Sequence, residues 1–174
     1  MTAEGRPSAG EIRTRAALPE EAPRLIANVL EGFEGYRAFA PPDWIVPPED
    51  TPERVAELTE RITDPASLVL VAEVDGVFAG HATLVPGSPD RPSADGFVPD
   101  FHLRHLFVRE PYWGSGAARA LHDQVVAFIG GGRARLFTPA GQARARRFYE
   151  REFWILREVG RVHAIGLPLA EYRR

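Results

Sequence analysis

A chain of 174 residues, 44% of them hydrophobic, is long enough for one well-buried core and too short for two ordinary domains. It contains no cysteine, which excludes disulfides, thiolate metal sites and a cysteine nucleophile together, and no lysine, which excludes a lysine Schiff base. The net charge of -3 is unevenly spread, with 7 arginines against 13 acids up to residue 64 and 14 against 11 beyond it; nucleic acid is therefore not an expected partner, and a smaller anion suits the basic half.

Residues 11–17, "EIRTRAA", alternate weakly and predict a first strand after a flexible tail over residues 1–10. Pro19, Glu20 and Glu21 open a helix whose apolar residues Leu25, Ile26, Val29, Leu30 and Phe33 recur at helical spacing, with Gly32 and Gly35 expected to end it. The segment "GYRAFAPPDWIVPPED" is rich in proline and aromatics and reads as a fixed loop. Thr51-Pro52-Glu53 then starts a second helix that buries Val55, Leu58 and Ile62. In "SLVLVAEVDGVFAGHATLV" two apolar runs flank Asp75-Gly76, a strong hairpin signal. A long proline and glycine loop follows, then a strand over residues 101–108 and a helix that begins near Gly116 and stops at Gly130, Gly131 and Gly132. "ARLFTPA" reads as a strand, residues 142–152 as a helix, and "WILREVG" with "RVHAIGLPL" as a closing pair of strands. The order β-α-α-β-β-β-α-β-α-β-β belongs to one α/β domain over residues 11–174. The N-terminal "MTAEGRPSAGEIRTRAA" has no apolar core of signal-peptide length, and no run approaches the roughly 18 apolar residues of a membrane span, so a cytoplasmic protein is expected.

The stretch "FVREPYWGSGAARALHD" holds the chemistry: a strand ends, two glycines and a serine follow, and a helix of small residues begins, which lays bare backbone N–H groups for a phosphate. A P-loop requires lysine and then serine or threonine after its last glycine, and Ala117 and Ala118 stand there. A dinucleotide fingerprint requires a third glycine, where Arg119 stands, and an acid about 20 residues on, where "GGRARLFTPA" has none. The bland reading is a strand-to-helix turn whose glycines serve only the backbone.

A second segment bears on that choice. Trp113-Gly114-Ser115-Gly116-Ala117-Ala118 resembles the Gln/Arg-x-x-Gly-x-Gly/Ala signature of the GNAT N-acetyltransferases, with tryptophan in the first place. Residues 142–154 resemble that family's Asn-x-x-Ala-x-x-Phe-Tyr-x-x-x-Gly-Phe, with Ala145, Phe148 and Tyr149 in place, Gln142 for asparagine and Phe153 for glycine. The resemblance implies the GNAT acyl-CoA N-acyltransferase fold, a central mixed and mostly antiparallel twisted sheet flanked by helices. It implies acetyl-CoA as co-substrate, no metal, and transfer of acetyl to an amine by direct attack in a ternary complex.

By the same resemblance the pyrophosphate of coenzyme A meets consecutive N–H groups from Gly114 through Ser115, Gly116 and Ala117 to Ala118, helped by the positive end of the helix. Trp113, Arg119, Gln142, Ala145 and Phe148 border the cofactor, and Arg119 or an arginine of "RARR" meets an outer phosphate unless those arginines form only a solvated face. Leu106, Phe107 and Val108, on a bulged strand that parts from "RLFTP", offer backbone donors to the pantetheine and the thioester oxygen. Tyr149 donates a proton or hydrogen bond to the departing sulfur, and its bland alternative is a core tyrosine beside Phe148. His102 takes the place of a general base, against a structural histidine or a water chain; strand parity puts it on one face with Arg104, Leu106 and Val108, and His105 on the other.

Phe153 stands where the family's glycine leaves the helix through a left-handed conformation, so either Phe153 has positive φ or the helix ends early and turns Trp154 inward. Tyr36, Phe39 and Trp44 line an acceptor pocket or belong to the core, and Glu34 and Asp43 favour a cationic amine. The acceptor is expected to be a small molecule, with a protein N-acetyltransferase or a non-catalytic acyl-CoA sensor as alternatives. A homodimer is compatible with this reading.

Overall fold

The computed structural model describes residues 10–162 and 165–174, so the expected tail, apart from Gly10, lies outside the described residues. The elements are β1 (Ile12–Ala16), α1 (Ala22–Glu34), α2 (Pro52–Thr63), β2 (Leu68–Val74), β3 (Val77–Pro86), β4 (Phe101–Val108), α3 (Ala117–Ile129), β5 (Ala134–Pro139), α4 (Ala143–Arg151), β6 (Ile155–Val162) and β7 (Pro168–Arg173). The strands form one sheet in the order β1-β2-β3-β4-β5-β7-β6, in which only β4 and β5 run parallel.

Local chemistry accounts for most boundaries. The Thr51 hydroxyl accepts from the Arg54 N–H at 3.3 Å and caps α2. Asp75 and Gly76, with φ of 51° and 77°, form the left-handed pair of a type I′ turn between β2 and β3. Gly130, at φ 57°, ends α3. Two expectations fail for packing reasons. Helix α1 continues through Gly32 to Glu34, because the Phe107 ring occupies the space that a side chain at Gly32 would need. The following loop opens with a 3-10 turn, Gly35–Ala38, that sinks Tyr36. Likewise β6 does not stop at Gly160: that residue takes φ 106° where the β6–β7 register shifts, so the glycine makes a bulge and the hairpin turn comes later.

Each face of the sheet buries its own core. On one, Leu84, Leu103, Leu136 and Tyr172 pack with Leu121, Val125 and Ile129 of α3, with Tyr149 of α4 and with Trp154. On the other, Leu25 and Ile26 of α1 and Leu58 of α2 cover Val69 and Val71, and a second cluster gathers Val29, Phe33, Tyr36, Trp44 and Leu167. Each such fully buried Leu or Val side chain stabilises by about 1.5–3 kcal/mol relative to exposure. Among the described residues no helix is long and apolar enough to cross a membrane.

Candidate functional site

A bulge in β4 sets the site. Thr83 pairs with His105 and Leu84 with Leu103, which leaves Arg104 as an extra residue. Beyond it β4 and β5 part, since their parallel pairing covers only Phe101, His102 and Leu103 against Ala134, Arg135 and Leu136. Residues 104–108 therefore have no ladder partner on the β5 side, and a cleft of about 2440 Å³ follows the opening. Leu106, Phe107 and Val108 all line it.

The bulge also overturns the expected side-chain parity. His105 lies across from Thr83 and Phe107 from His81, whereas Leu106 and Val108 pack into the α3 core. His102, Arg104, His105 and Phe107 thus share the α1–α2 face, and His102 does not share a face with Leu106 and Val108. Arg104 reaches Glu57 of α2 at 2.5 Å. The His105 ring lies 5.6 Å from His81 and 6.0 Å from Phe107, and burial first, then the neighbouring His81 and Arg104 charges, hold it well below the ordinary histidine value. Asn28 donates to His81 Nδ1 at 2.8 Å, which puts the neutral ring's proton on Nε2, and burial pushes His81 down to about 3.

The glycine turn is built for close approach. Gly114 and Gly116 have φ of 81° and 100°, values that side-chain-bearing residues adopt only with strain. Its N–H groups are not all directed outward: Ser115 donates to the Tyr112 carbonyl at 3.2 Å and Ala117 to the Ser115 hydroxyl at 3.2 Å. Ala117 is buried in the core, and Gly114, Gly116, Ala118 and Arg119 line the cleft instead. Trp113 replaces a polar side chain with another polar contact, since its indole N–H donates to the Val108 carbonyl at 2.8 Å. The Arg144 guanidinium stacks over that indole at 4.2 Å. Of the basic run on α4, Arg146 is engaged with the Tyr172 hydroxyl and the Ala140 carbonyl, while Arg144, Arg147 and Arg151 border the cleft. Gln142, at the N-cap of α4, Ala145 and Phe148 line it as well.

Tyr149 is 7% exposed and faces the cleft. Burial raises its phenol above the ordinary value, and the nearby Tyr36 hydroxyl adds to that shift. His102 lines the same cleft with its ring 5.7 Å from that of Phe137. Tyr36 and Phe39 line the cleft; Trp44 does not, because its indole donates to the Ile165 carbonyl at 2.7 Å inside the core. Glu34 is bound to Arg37 at 2.5 Å.

The long loop after β3 is held against β5 and β7 through contacts that no short motif reveals. Ser93 donates to Glu171 Oε1 at 2.7 Å and accepts from Arg135 Nη1 at 2.9 Å, and Arg135 Nη2 reaches the Arg91 carbonyl at 3.1 Å. Asp95 takes both Arg173 Nη groups at 2.8 and 2.7 Å. Burial of Ser93 and Glu171, and the pairing of a loop serine with a strand carboxylate 78 residues away, carry no local sequence signal. Among the described residues one set, His122, Asp123 and Glu152, brings metal-ligand atom types within 4.8 Å. Trp154 donates to His122 Nε2 at 2.9 Å, so in the neutral ring that burial favours Nδ1 carries the proton, 3.8 Å from Glu152 Oε2 and without a hydrogen-bond partner.

With the geometry in view, the comparisons with known proteins agree on its class. The Acetyltransferase (GNAT) family matches residues 33–153. Similar solved structures include a putative acetyltransferase, yncA, from Salmonella typhimurium with its cofactor acetyl-CoA, at 19% identity and TM-score 0.67 over 94% of this chain and 92% of that one. Another is the paia N-acetyltransferase from Thermoplasma acidophilum in complex with coenzyme A, at 16% identity and TM-score 0.65 over 94% and 98%. A third, from Corynebacterium glutamicum, is described as histone acetyltransferase HPA2 and related acetyltransferase, at 19% identity and TM-score 0.64 over 93% and 94%. At these identities the structures establish the fold. No curated protein sequence matches the chain. The chain belongs to the GNAT acetyltransferase family, and its mixed, mostly antiparallel seven-stranded sheet is the fold of that family.

Proposed function

We propose that the protein transfers acetyl from acetyl-CoA to the amine of a small molecule, by direct attack in a ternary complex. The observation that carries this reading is the parting of β4 from β5 at the Arg104 bulge, on the same cleft as the left-handed turn at Gly114 and Gly116. The turn fits the pyrophosphate: two glycines keep side chains out of the path, and the start of α3 adds a positive helix end of about half a charge. The open edge of β4 suits the pantetheine amides and the thioester oxygen, which need donors fixed before charge develops. Acetyl-CoA supplies the activated carbonyl.

The residues of the chain divide the rest. His102, on the acceptor side of the cleft, takes the proton that the amine loses as its nitrogen bonds to the carbonyl carbon. The backbone N–H groups of Leu106 and Val108, which alternate with those of Phe107 and Arg109 turned toward β3, hold the oxyanion. When the carbon–sulfur bond breaks, Tyr149 faces the departing thiolate. A phenol raised above its ordinary value of about 10 is a weaker acid than a thiol near 8.5, so Tyr149 stabilises the sulfur chiefly by a hydrogen bond. Ser93 and Asp95 hold the long loop against β7, which favours a closed pocket for a small acceptor over an open groove for a protein.

The test is thiol release from acetyl-CoA across a panel of small amines and peptides. Free thiol reads coenzyme A alone, because the chain has no cysteine. Turnover with small amines and none with peptides is the expected outcome. Turnover confined to peptides would move the acceptor to a protein.

A further inference from the structure

We propose that Glu171 and Glu158 form a subsite for a second cationic group on the acceptor, so that the substrate is a small di- or polyamine. This rests on the reading of the cleft as the site of amine acetylation.

Glu171 is 2% exposed and lines the cleft. Its Oε1 accepts from Ser93 Oγ at 2.7 Å and from Arg173 Nε at 2.6 Å, while its buried Oε2 has no partner. A carboxylate oxygen in that state carries a desolvation cost that a donor from a ligand relieves.

The residue opposite Glu171 on β6 is another acid. Leu156 pairs with Tyr172 and Glu158 with Glu171, with a register shift between them, so the bulge at Arg157 places Glu158 across from Glu171 where an unbroken register would place an arginine. Glu158 also lines the cleft. Like charges directly opposite on neighbouring strands are destabilising. A cation between them converts that repulsion into attraction. The surrounding charges leave room for one: against Glu171, Glu158 and Asp95 stand Arg173, which is already held by Asp95 through two hydrogen bonds, and Arg135, which reaches Glu171 through Ser93.

The position suits an acceptor held at both ends. Glu171 pairs with Phe137, the first β5 residue past the last pairing with β4, so it stands level with the point where the cleft opens. The Phe137 ring is in turn 5.7 Å from His102. Two strand spacings separate β4 from β7, roughly 10 Å. An amine presented to His102 on a short aliphatic chain thus brings a second ammonium to Glu171.

Calorimetry on the protein saturated with coenzyme A tests this, with 1,6-diaminohexane and hexylamine as probes. The wild type should bind the diamine at least tenfold more tightly than the monoamine, and Glu171→Gln and Glu158→Gln should each bring that ratio toward one. Coenzyme A affinity and a thermal melt report whether each variant is folded; if Glu171→Gln is not, Glu158→Gln decides. Equal binding of both probes by the wild type, or a ratio that survives in the folded variants, overturns the subsite. Diamine preference that depends on these acids, without thiol release from acetyl-CoA, would leave the subsite standing and remove the acetyltransfer reading instead.

Discussion

Trp113 donates its indole N–H to the Val108 carbonyl at 2.8 Å, tying the last residue of β4 to the start of the glycine turn. The bond fixes the open strand edge relative to the phosphate turn, two surfaces that one coenzyme A molecule has to touch at once. Trp113→Phe keeps a ring under Arg144 and removes only the donor. A net hydrogen bond of about 1 kcal/mol predicts a three- to tenfold rise in the coenzyme A dissociation constant by calorimetry. The melting temperature should fall by only about 2–4 °C, the same ~1 kcal/mol read in a chain of this size. Unchanged affinity would mean that the turn holds its shape without this bond.

Phe153 has φ 65° and is 80% exposed, and the hydrogen bonds around it complete a left-handed helix end. Its N–H donates to the Glu150 carbonyl at 3.2 Å, and that of Trp154 to the Tyr149 carbonyl at 3.0 Å. Trp154 is turned inward to 2% exposure while the helix runs its expected length to Arg151, so of the two alternatives posed by the missing glycine the positive φ occurs without an early helix end. A bulky residue in this conformation costs about 1–2 kcal/mol, part of which glycine forfeits through the entropy of the unfolded chain. Phe153→Gly should therefore raise stability by up to about 1 kcal/mol in denaturant melts. A loss of stability would show that the exposed ring makes contacts worth more than the strain.

His81 makes folding sensitive to mild acid. The unfolded chain binds a proton on this ring near pH 6.5, whereas the folded chain binds it only near pH 3. Between those values the unfolded state holds more protons, so stability falls as pH falls, by up to about 1.4 kcal/mol per unit. Carboxylates such as Glu21, lowered to about 2 by Arg15, begin to contribute only below about pH 4.5. Melts between pH 6.5 and 4.5 should thus slope downward, and His81→Gln should flatten that slope, leaving the share due to His105 and His122, which burial shifts in the same direction. An identical slope in the variant would place the acid sensitivity elsewhere.

What the sequence discloses here is mostly local. Thr51 before Pro52, the Asp75-Gly76 pair and the glycine turn each act within a few residues, and each forms where its chemistry predicts. Misreadings arise where distant packing overrides a local rule. Gly32 does not end α1 because Phe107, 75 positions on, fills its missing side chain, and Gly160 makes a bulge because β7 lies alongside. The side of β4 on which His105 lies depends on one extra residue, Arg104, that no alternation pattern marks. Glu171 carries no local signal for a related reason: its surroundings depend on Ser93 and on a bulge in β6, and neither lies near it in the chain.

Placing His102 and His105 on one face turns the choice of base into a comparison of environments. A general base has to hold a proton near neutral pH, and burial together with the positive charge of Arg104 keeps His105 from doing so. His102 borders the open cleft beside Phe137. With a good amine acceptor, His102→Ala should lower kcat/KM by roughly 10²-fold, with partial recovery on adding imidazole, while His105→Gln should lower it by less than about tenfold. Tyr149 stays protonated across the working range because its phenol is raised, so Tyr149→Phe should lower kcat by a factor that does not vary with pH. The three profiles separate the roles: imidazole rescue marks the proton acceptor, and a pH-independent loss marks the donor to sulfur. If His105→Gln shows the larger loss and the rescue, the base is His105 and the burial argument fails; if neither histidine variant loses rate, the amine gives its proton to water and only the tyrosine role stands.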